Sequence, residues 1–350
     1  MTLLTTMAMV AATVTGIHLP APTGTFPVSS STLHLVDHSR PDPWAPGNPR
    51  ELMLSLFYPA ANANGPSAPY ASLAETKLLL QAQGLPAGDA QVVADTVTNS
   101  HLQAPPRPGR HPLVLLSPGL GAPRYTLTTL AEELASHGYF VAAIDHAYES
   151  AGTLFPGNRM LACIACQATD LRGLVLNRAK DASFVIDQLT ARFPALIDPS
   201  RIGMAGHSIG GASALAAMEA DPRIKAGVNL DGAFHVDAPN GMSRPFLMLG
   251  TDDAVHRPGG SDGTWNQVWS QLNGWKRWLT VGNAVHESFT DAPALLAQLG
   301  LPLSPLPADR AVAITRNYVT AFFDQTLRCQ PEPILDGPTA GNPEVKFNNP

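Results

Sequence analysis

Arg201-Ile202-Gly203-Met204-Ala205-Gly206-His207-Ser208-Ile209-Gly210-Gly211-Ala212-Ser213-Ala214-Leu215 decides how this chain folds. An apolar run leads in and a run of small residues leads out, the pattern of a strand, a sharp turn and a helix. At the turn, Gly206-His207-Ser208-Ile209-Gly210 matches G-x-S-x-G. A serine there occupies a strained backbone region with its hydroxyl clear of the main chain. Glycines two residues to either side leave room for the turn and for close packing of the helix. The helix N-terminus places positive dipole behind the reacting oxygen. Ser208 is therefore the candidate nucleophile. An incidental serine in a glycine-rich turn would match the five residues but not their setting.

Outward from this turn the chain alternates. Residues 113–116, 139–144, 224–230, 246–249 and 277–281 are short, mostly apolar runs, as strands buried on both faces require. Helical patterns separate them: Leu127, Leu130 and Leu134 on one stripe, then residues 171–193, 210–219, 265–272 and 308–327. The implied class is α/β, a mostly parallel central sheet with helices on both faces, and the serine turn makes it an α/β-hydrolase fold. Upstream, residues 33–36 and 52–56 alternate with period two and predict antiparallel strands with one wet face. Residues 60–110 form an insertion before the strand at 113–116, with helical stretches at 73–83 and 89–97. It reads equally as a lid or as surface decoration. The expected organisation is a leader over 1–30, a catalytic domain over 31–330 and a tail over 331–350 that wraps the surface.

Bulk properties narrow the partners. The 350 residues carry a formal charge of −6, with 45% apolar and 14% charged residues. No Lys/Arg cluster is present to neutralise phosphates, so no nucleic-acid partner is expected. Nor do the glycines of this chain match G-x-G-x-x-G with a following acidic residue or a Walker lysine. Residues 1–16 are apolar and uncharged, like a secretion signal without its basic start, which leaves secreted and cytoplasmic locations open. No other apolar run is long enough to span a membrane. Cys163 and Cys166 suit a local bridge or free thiols better than a redox pair or half a zinc site, and Cys329 is left over. No metal or cofactor is expected.

A serine hydroxyl needs a base, and histidine suits the task near neutrality. In this fold the order is Ser, then Asp or Glu, then His. Of His235, His256 and His286, only His286 follows the last predicted strand, and it is the candidate base; the other two are expected on surface loops. The acid is open at this level. Asp231 ends one strand, Asp252 and Asp253 the next, and either end can present a carboxylate to the far nitrogen of the imidazole. Two backbone N–H groups should hold the oxyanion. Ile209 supplies one, and the loop Ser117-Pro118-Gly119-Leu120-Gly121 supplies the other, with Leu120 preferred and Gly119 second.

Those blocks, together with Ala135-Ser136-His137-Gly138, Leu230-Asp231 and Val285-His286-Glu287-Ser288-Phe289, resemble the platelet-activating factor acetylhydrolase family in its monomeric α/β-hydrolase branch, and related actinobacterial lipase-like proteins. The resemblance spans about residues 33–327. It implies Asp231 as the acid and supports Leu120 and Ile209 as oxyanion donors. Two positions depart from the family pattern: Pro118 replaces a histidine, and Ile209 stands where Phe is common. Both keep the backbone donors and change the pocket wall. The resulting expectation is a serine carboxylic-ester hydrolase acting through an acyl-enzyme on a small ester or lipid of short to medium chain length. Acyl transfer or thioester release in a biosynthetic pathway, and binding by a dead hydrolase fold, are the competitors.

Two further features stand beside the site. Trp265, Trp269, Trp275 and Trp278 suit a core-packed helix face better than binding of an acyl chain or peripheral contact with lipid. Arg172, Arg178 and Asp181, on the long helix, are expected on a solvated face or in ion pairs of little net energy.

Overall fold

The structure, a computed structural model, describes residues 16–349. The apolar opening of the chain lies almost wholly outside the described residues.

In chain order the elements are β1 (Val28–Pro41), β2 (Pro49–Pro59), β3 (Ser67–Pro69), α1 (Leu73–Ala82), α2 (Ala90–Ala94), β4 (Val97–Leu102), β5 (His111–Ser117) and α3 (Thr128–Ser136). They continue with β6 (Phe140–His146), β7 (Gly152–Phe155), β8 (Arg159–Ala162), α4 (Leu171–Arg192), β9 (Ile197–His207), α5 (Ile209–Ala220) and β10 (Ile224–Leu230). Last come β11 (Phe246–Thr251), α6 (Gly263–Gln271), β12 (Lys276–Val281), α7 (Ala292–Gln298), α8 (Ala308–Leu327) and β13 (Val345–Phe347).

Eleven strands form one sheet in the order β13-β12-β11-β10-β9-β5-β6-β2-β1-β4-β3. The six from β12 to β6 run parallel. Helices cover both faces, as parallel strands demand. One face packs Leu174 and Ile186 of α4, Leu215 of α5 and Trp265 of α6. The other packs Leu130 of α3 with Tyr318 and Phe322 of α8. This is the expected α/β-hydrolase architecture.

Four expectations change. β2 is an interior strand paired with both β1 and β6, and its apolar residues are buried on both faces, so it has no wet side. The insertion is more than surface decoration. It adds β3 and β4 to the sheet edge, and its Tyr70, Leu80 and Val93 pack with Tyr125 and with Leu295 of α7. The tail does more than wrap the surface, because β13 pairs antiparallel with β12 and buries Val345. Arg178 and Asp181 are buried, while Arg172 is exposed.

Cys163 and Cys166 are joined by a disulfide, and Cys329 is free and exposed. Trp265 and Trp278 lie wholly in the core, which removes them from any lipid-facing surface.

Candidate active site

The serine turn is built by close contact. Ser208 has φ 56° and ψ −127°, a conformation that costs about 1–3 kcal/mol in a non-glycine residue. A Cβ at Gly206 would lie 2.1 Å from the carbonyl carbon of Gly210, and one at Gly210 would lie 2.0 Å from the Ser117 oxygen. No side chain fits either space. The bend is anchored by Ser208 N–H donating to Leu230 O at 2.8 Å, which ties it to the end of β10.

β10 ends at a second strained residue, the candidate acid Asp231, at φ 57°. The Asn229 side chain fastens that turn, donating to Gly232 O at 2.7 Å and accepting from Gly232 N at 2.9 Å. Asp231 is buried, and its Oδ1 accepts from Thr251 N at 2.6 Å and Thr251 Oγ1 at 3.0 Å. Its Oδ2 lies 2.7 Å from His286 Nδ1. Burial pushes this carboxyl up, but the His286 hydrogen bond, the nearby His256 and the Thr251 amide outweigh it and hold the group below its usual range. Asp231 is therefore an anion at neutral pH, as a partner for imidazolium must be.

Asp253 turns elsewhere. Its carboxylate accepts from Thr251 Oγ1, Val255 N and His256 N. Asp252 pairs with Arg257 and Lys346. The structure thus brings Asp231, and not the pair after β11, against His286.

His286 opens a short 3₁₀ turn after β12, with its side chain 44% exposed. Burial pulls its pKa down, yet the Asp231 hydrogen bond and the negative charges of Asp231, Glu287 and Asp253 leave it above the ordinary histidine value. Its ring packs at a 42° tilt against that of His207, with centroids 4.4 Å apart. His207 Nε2 lies 2.9 Å from His286 O and must be the donor there, since a carbonyl can only accept. Burial first, then the charge of His286, lowers the His207 pKa, so this ring is neutral and its other nitrogen carries no proton. The residue next to Ser208 is in this way bonded to the backbone of His286. Ser208, Asp231 and His286 follow the C-terminal ends of the parallel strands β9, β10 and β12, where open α/β sheets place their sites.

The loop after β5 closes the other side. A Cβ on Gly119 would stand 3.3 Å from Ser208 Cβ, so the loop lies directly against the serine. The Leu120 and Ile209 amides have no hydrogen-bond acceptor among the described residues. The loop is gripped from behind: Arg178 Nη1 donates to Pro118 O at 2.5 Å and to Ser117 Oγ at 3.1 Å, and Gly121 N donates to Glu149 O at 2.9 Å. Arg178 Nε in turn donates to Glu149 Oε2 at 2.7 Å. Glu149, Asp42 and Asp181 share Arg50, all of them inaccessible to solvent. Asp181 also meets His146 at 2.7 Å. Sequence spacing gave no sign of this cluster, because its members come from five separate segments.

His256 also departs from expectation. It is buried rather than on the surface, with its Nδ1 2.9 Å from Thr251 Oγ1 and 3.3 Å from Asp231 Oδ1. His235 is half-buried, and burial lowers its pKa. Among the described residues no group of three His, Cys, Asp or Glu side chains is arranged to hold a metal ion. Among them, too, no helix is long and apolar enough to cross a membrane.

With this geometry in view, comparison with known proteins defines the class: the chain is a carboxylic-ester hydrolase of the α/β-hydrolase fold. A ferulic acid esterase from Streptomyces cinnamoneus superposes with a TM-score of 0.86 at 44% identity, covering 95% of this chain and 99% of that one. The chain belongs to the PET hydrolase-like family, whose model matches residues 105–302. A second model, platelet-activating factor acetylhydrolase isoform II, matches residues 45–160, in keeping with the resemblance read from the motifs. A probable 1-alkyl-2-acetylglycerophosphocholine esterase of Arthroderma benhamiae is 29% identical across 94% of this chain and 93% of its own. Cutinase est1 of Thermobifida alba is 28% identical across 49% of this chain and 52% of its own.

Proposed function

We propose that this hydrolase works through Ser208 as nucleophile, His286 as general base and acid, and Asp231 as the carboxylate that orients the imidazole. The 2.7 Å contact between His286 Nδ1 and Asp231 Oδ2, at the strand edge that also carries the strained Ser208, supports the assignment most directly. With Nδ1–H committed to Asp231, Nε2 is the free basic nitrogen. It takes the Ser208 proton as the hydroxyl oxygen attacks the ester carbonyl. The Leu120 and Ile209 amides hold the oxyanion of the tetrahedral intermediate. His286 then returns the proton to the departing alkoxide, leaving an acyl-enzyme that water clears by the same steps.

The substrate class is a small ester or lipid with a short to medium acyl arm. The relatives, a probable 1-alkyl-2-acetylglycerophosphocholine esterase, a cutinase and a ferulic acid esterase, support ester hydrolysis of this kind. Secretion is the location proposed, since a disulfide such as Cys163–Cys166 persists in oxidising compartments.

The test is a p-nitrophenyl ester series from acetate to palmitate with wild type and Ser208→Ala. The variant should lose about 10⁴–10⁶ in kcat and fail to react with an active-site fluorophosphonate. Asp231→Asn should cost about 10³–10⁴ and Asp253→Asn less than about tenfold. Comparable losses in the two Asp variants would reject Asp231 as the acid.

A further inference from the structure

A cavity of about 250 Å³ lies between the insertion and the segment that follows His286. Leu79 and Leu80 of α1 form one wall, and Leu295 and Leu296 of α7 face them. Residues adjoining both halves of the proposed site line it. Ala122, whose N–H donates to Gly119 O at 3.2 Å, lines the cavity, and Gly119 is the residue lying against Ser208. Glu287, immediately after His286, lines it from the other side. The lining is mostly apolar, and its polar members include Tyr70 and Asp291, whose Oδ2 accepts from Tyr70 Oη at 3.0 Å.

We infer that this cavity holds the apolar acid arm of the ester, so the insertion sets chain-length selectivity. The inference rests on Ser208 being the nucleophile, which places the acyl carbonyl beside Leu120 and directs the arm past Ala122. An aliphatic arm suits leucines from two opposed helices, and the volume limits its length. At roughly 30 Å³ per water-sized group, the space takes about eight carbons. The polar Tyr70–Asp291 contact is satisfied internally and asks for nothing from a hydrocarbon chain.

The experiment measures kcat/KM on p-nitrophenyl esters from two to sixteen carbons. Wild type should gain about two- to fourfold per methylene up to about eight carbons and then stop gaining. Leu79→Trp and Leu296→Trp, on opposite walls, should each lower the octanoate-to-acetate ratio of kcat/KM at least tenfold and move the optimum to shorter chains. A wild-type profile flat from acetate to octanoate would overturn the inference, and that measurement needs no variant to fold. An unchanged ratio in variants with wild-type unfolding temperatures would overturn it as well. Retained turnover in Ser208→Ala marks failure of the catalytic assignment instead, whereas an inert Ser208→Ala with a flat profile removes the acyl pocket alone.

Discussion

Arg178→Met removes one guanidinium from the cluster behind the loop after β5. Three hydrogen bonds go with it: to Glu149 Oε2, to Ser117 Oγ and to Pro118 O. Glu149 keeps Arg50 and the Trp44 indole but loses a guanidinium partner. Arg50, Arg178 and the half-buried Arg40 face Asp37, Asp42, Glu149 and Asp181, and loss of Arg178 adds one more uncompensated carboxylate. Breaking a buried pair by deleting one partner costs about 3–5 kcal/mol. At about 2 °C per kcal/mol for a chain of this size, the unfolding midpoint should fall by roughly 6–10 °C. Pro118 O is two residues from the Leu120 amide, so the loop also loses its fixed position, and kcat should drop about 10- to 100-fold with KM changed far less. Arg178→Lys, which keeps the charge but not the fork, should recover stability better than rate. Circular dichroism melts and steady-state ester hydrolysis measure both quantities. A midpoint within about 2 °C of wild type, with kcat intact, would show that the cluster neither supports the fold nor positions the loop.

Two pH effects follow from the same structure. Catalysis requires neutral His286, and Asp231 holds its pKa above the ordinary value of about 6.5, so kcat/KM should fall on acidification with a midpoint above that value; a limb centred below pH 6 would contradict the pairing. Burial pushes Asp291 up to about 7 against the hydrogen bonds of Thr129 and Tyr70. A carboxyl with a raised folded-state pKa favours the fold at low pH, and that contribution drains away between about pH 4 and pH 7 as the unfolded chain ionises first. From pH 5 to pH 7 the loss is about 2–3 kcal/mol, and Asp291→Asn should flatten this part of the stability curve in urea titrations. An unchanged slope in the variant would reject the raised value.

The parallel sheet and the serine turn were legible because their signals are local. Strands such as Leu113–Leu116 are apolar throughout, and Gly206 and Gly210 stand where only hydrogen can fit. The choice among Asp231, Asp252 and Asp253 was not local: all three end neighbouring strands, and only the turn fixed by Asn229 decides which carboxylate meets His286. Arg178 and Asp181 look like the exposed face of a long helix until Arg50 and Glu149 arrive from distant segments. The edge strands β3 and β13 have three residues each, too few for an alternation to register. His256 is hidden by the path of its loop over Trp265, with rings 4.9 Å apart, which no spacing encodes.

The antiparallel return of Val345–Phe347 alters the standing of the strand that aims the imidazole. Without it, β12 would be the rim of the sheet, open to water and to any other extended chain seeking a partner. With it, β12 is flanked on both sides, and Gly282 N–H is held by Glu344 O at 2.8 Å, four positions before His286. Residues from the far end of the sequence therefore bolt down the post on which the His286 imidazole hangs.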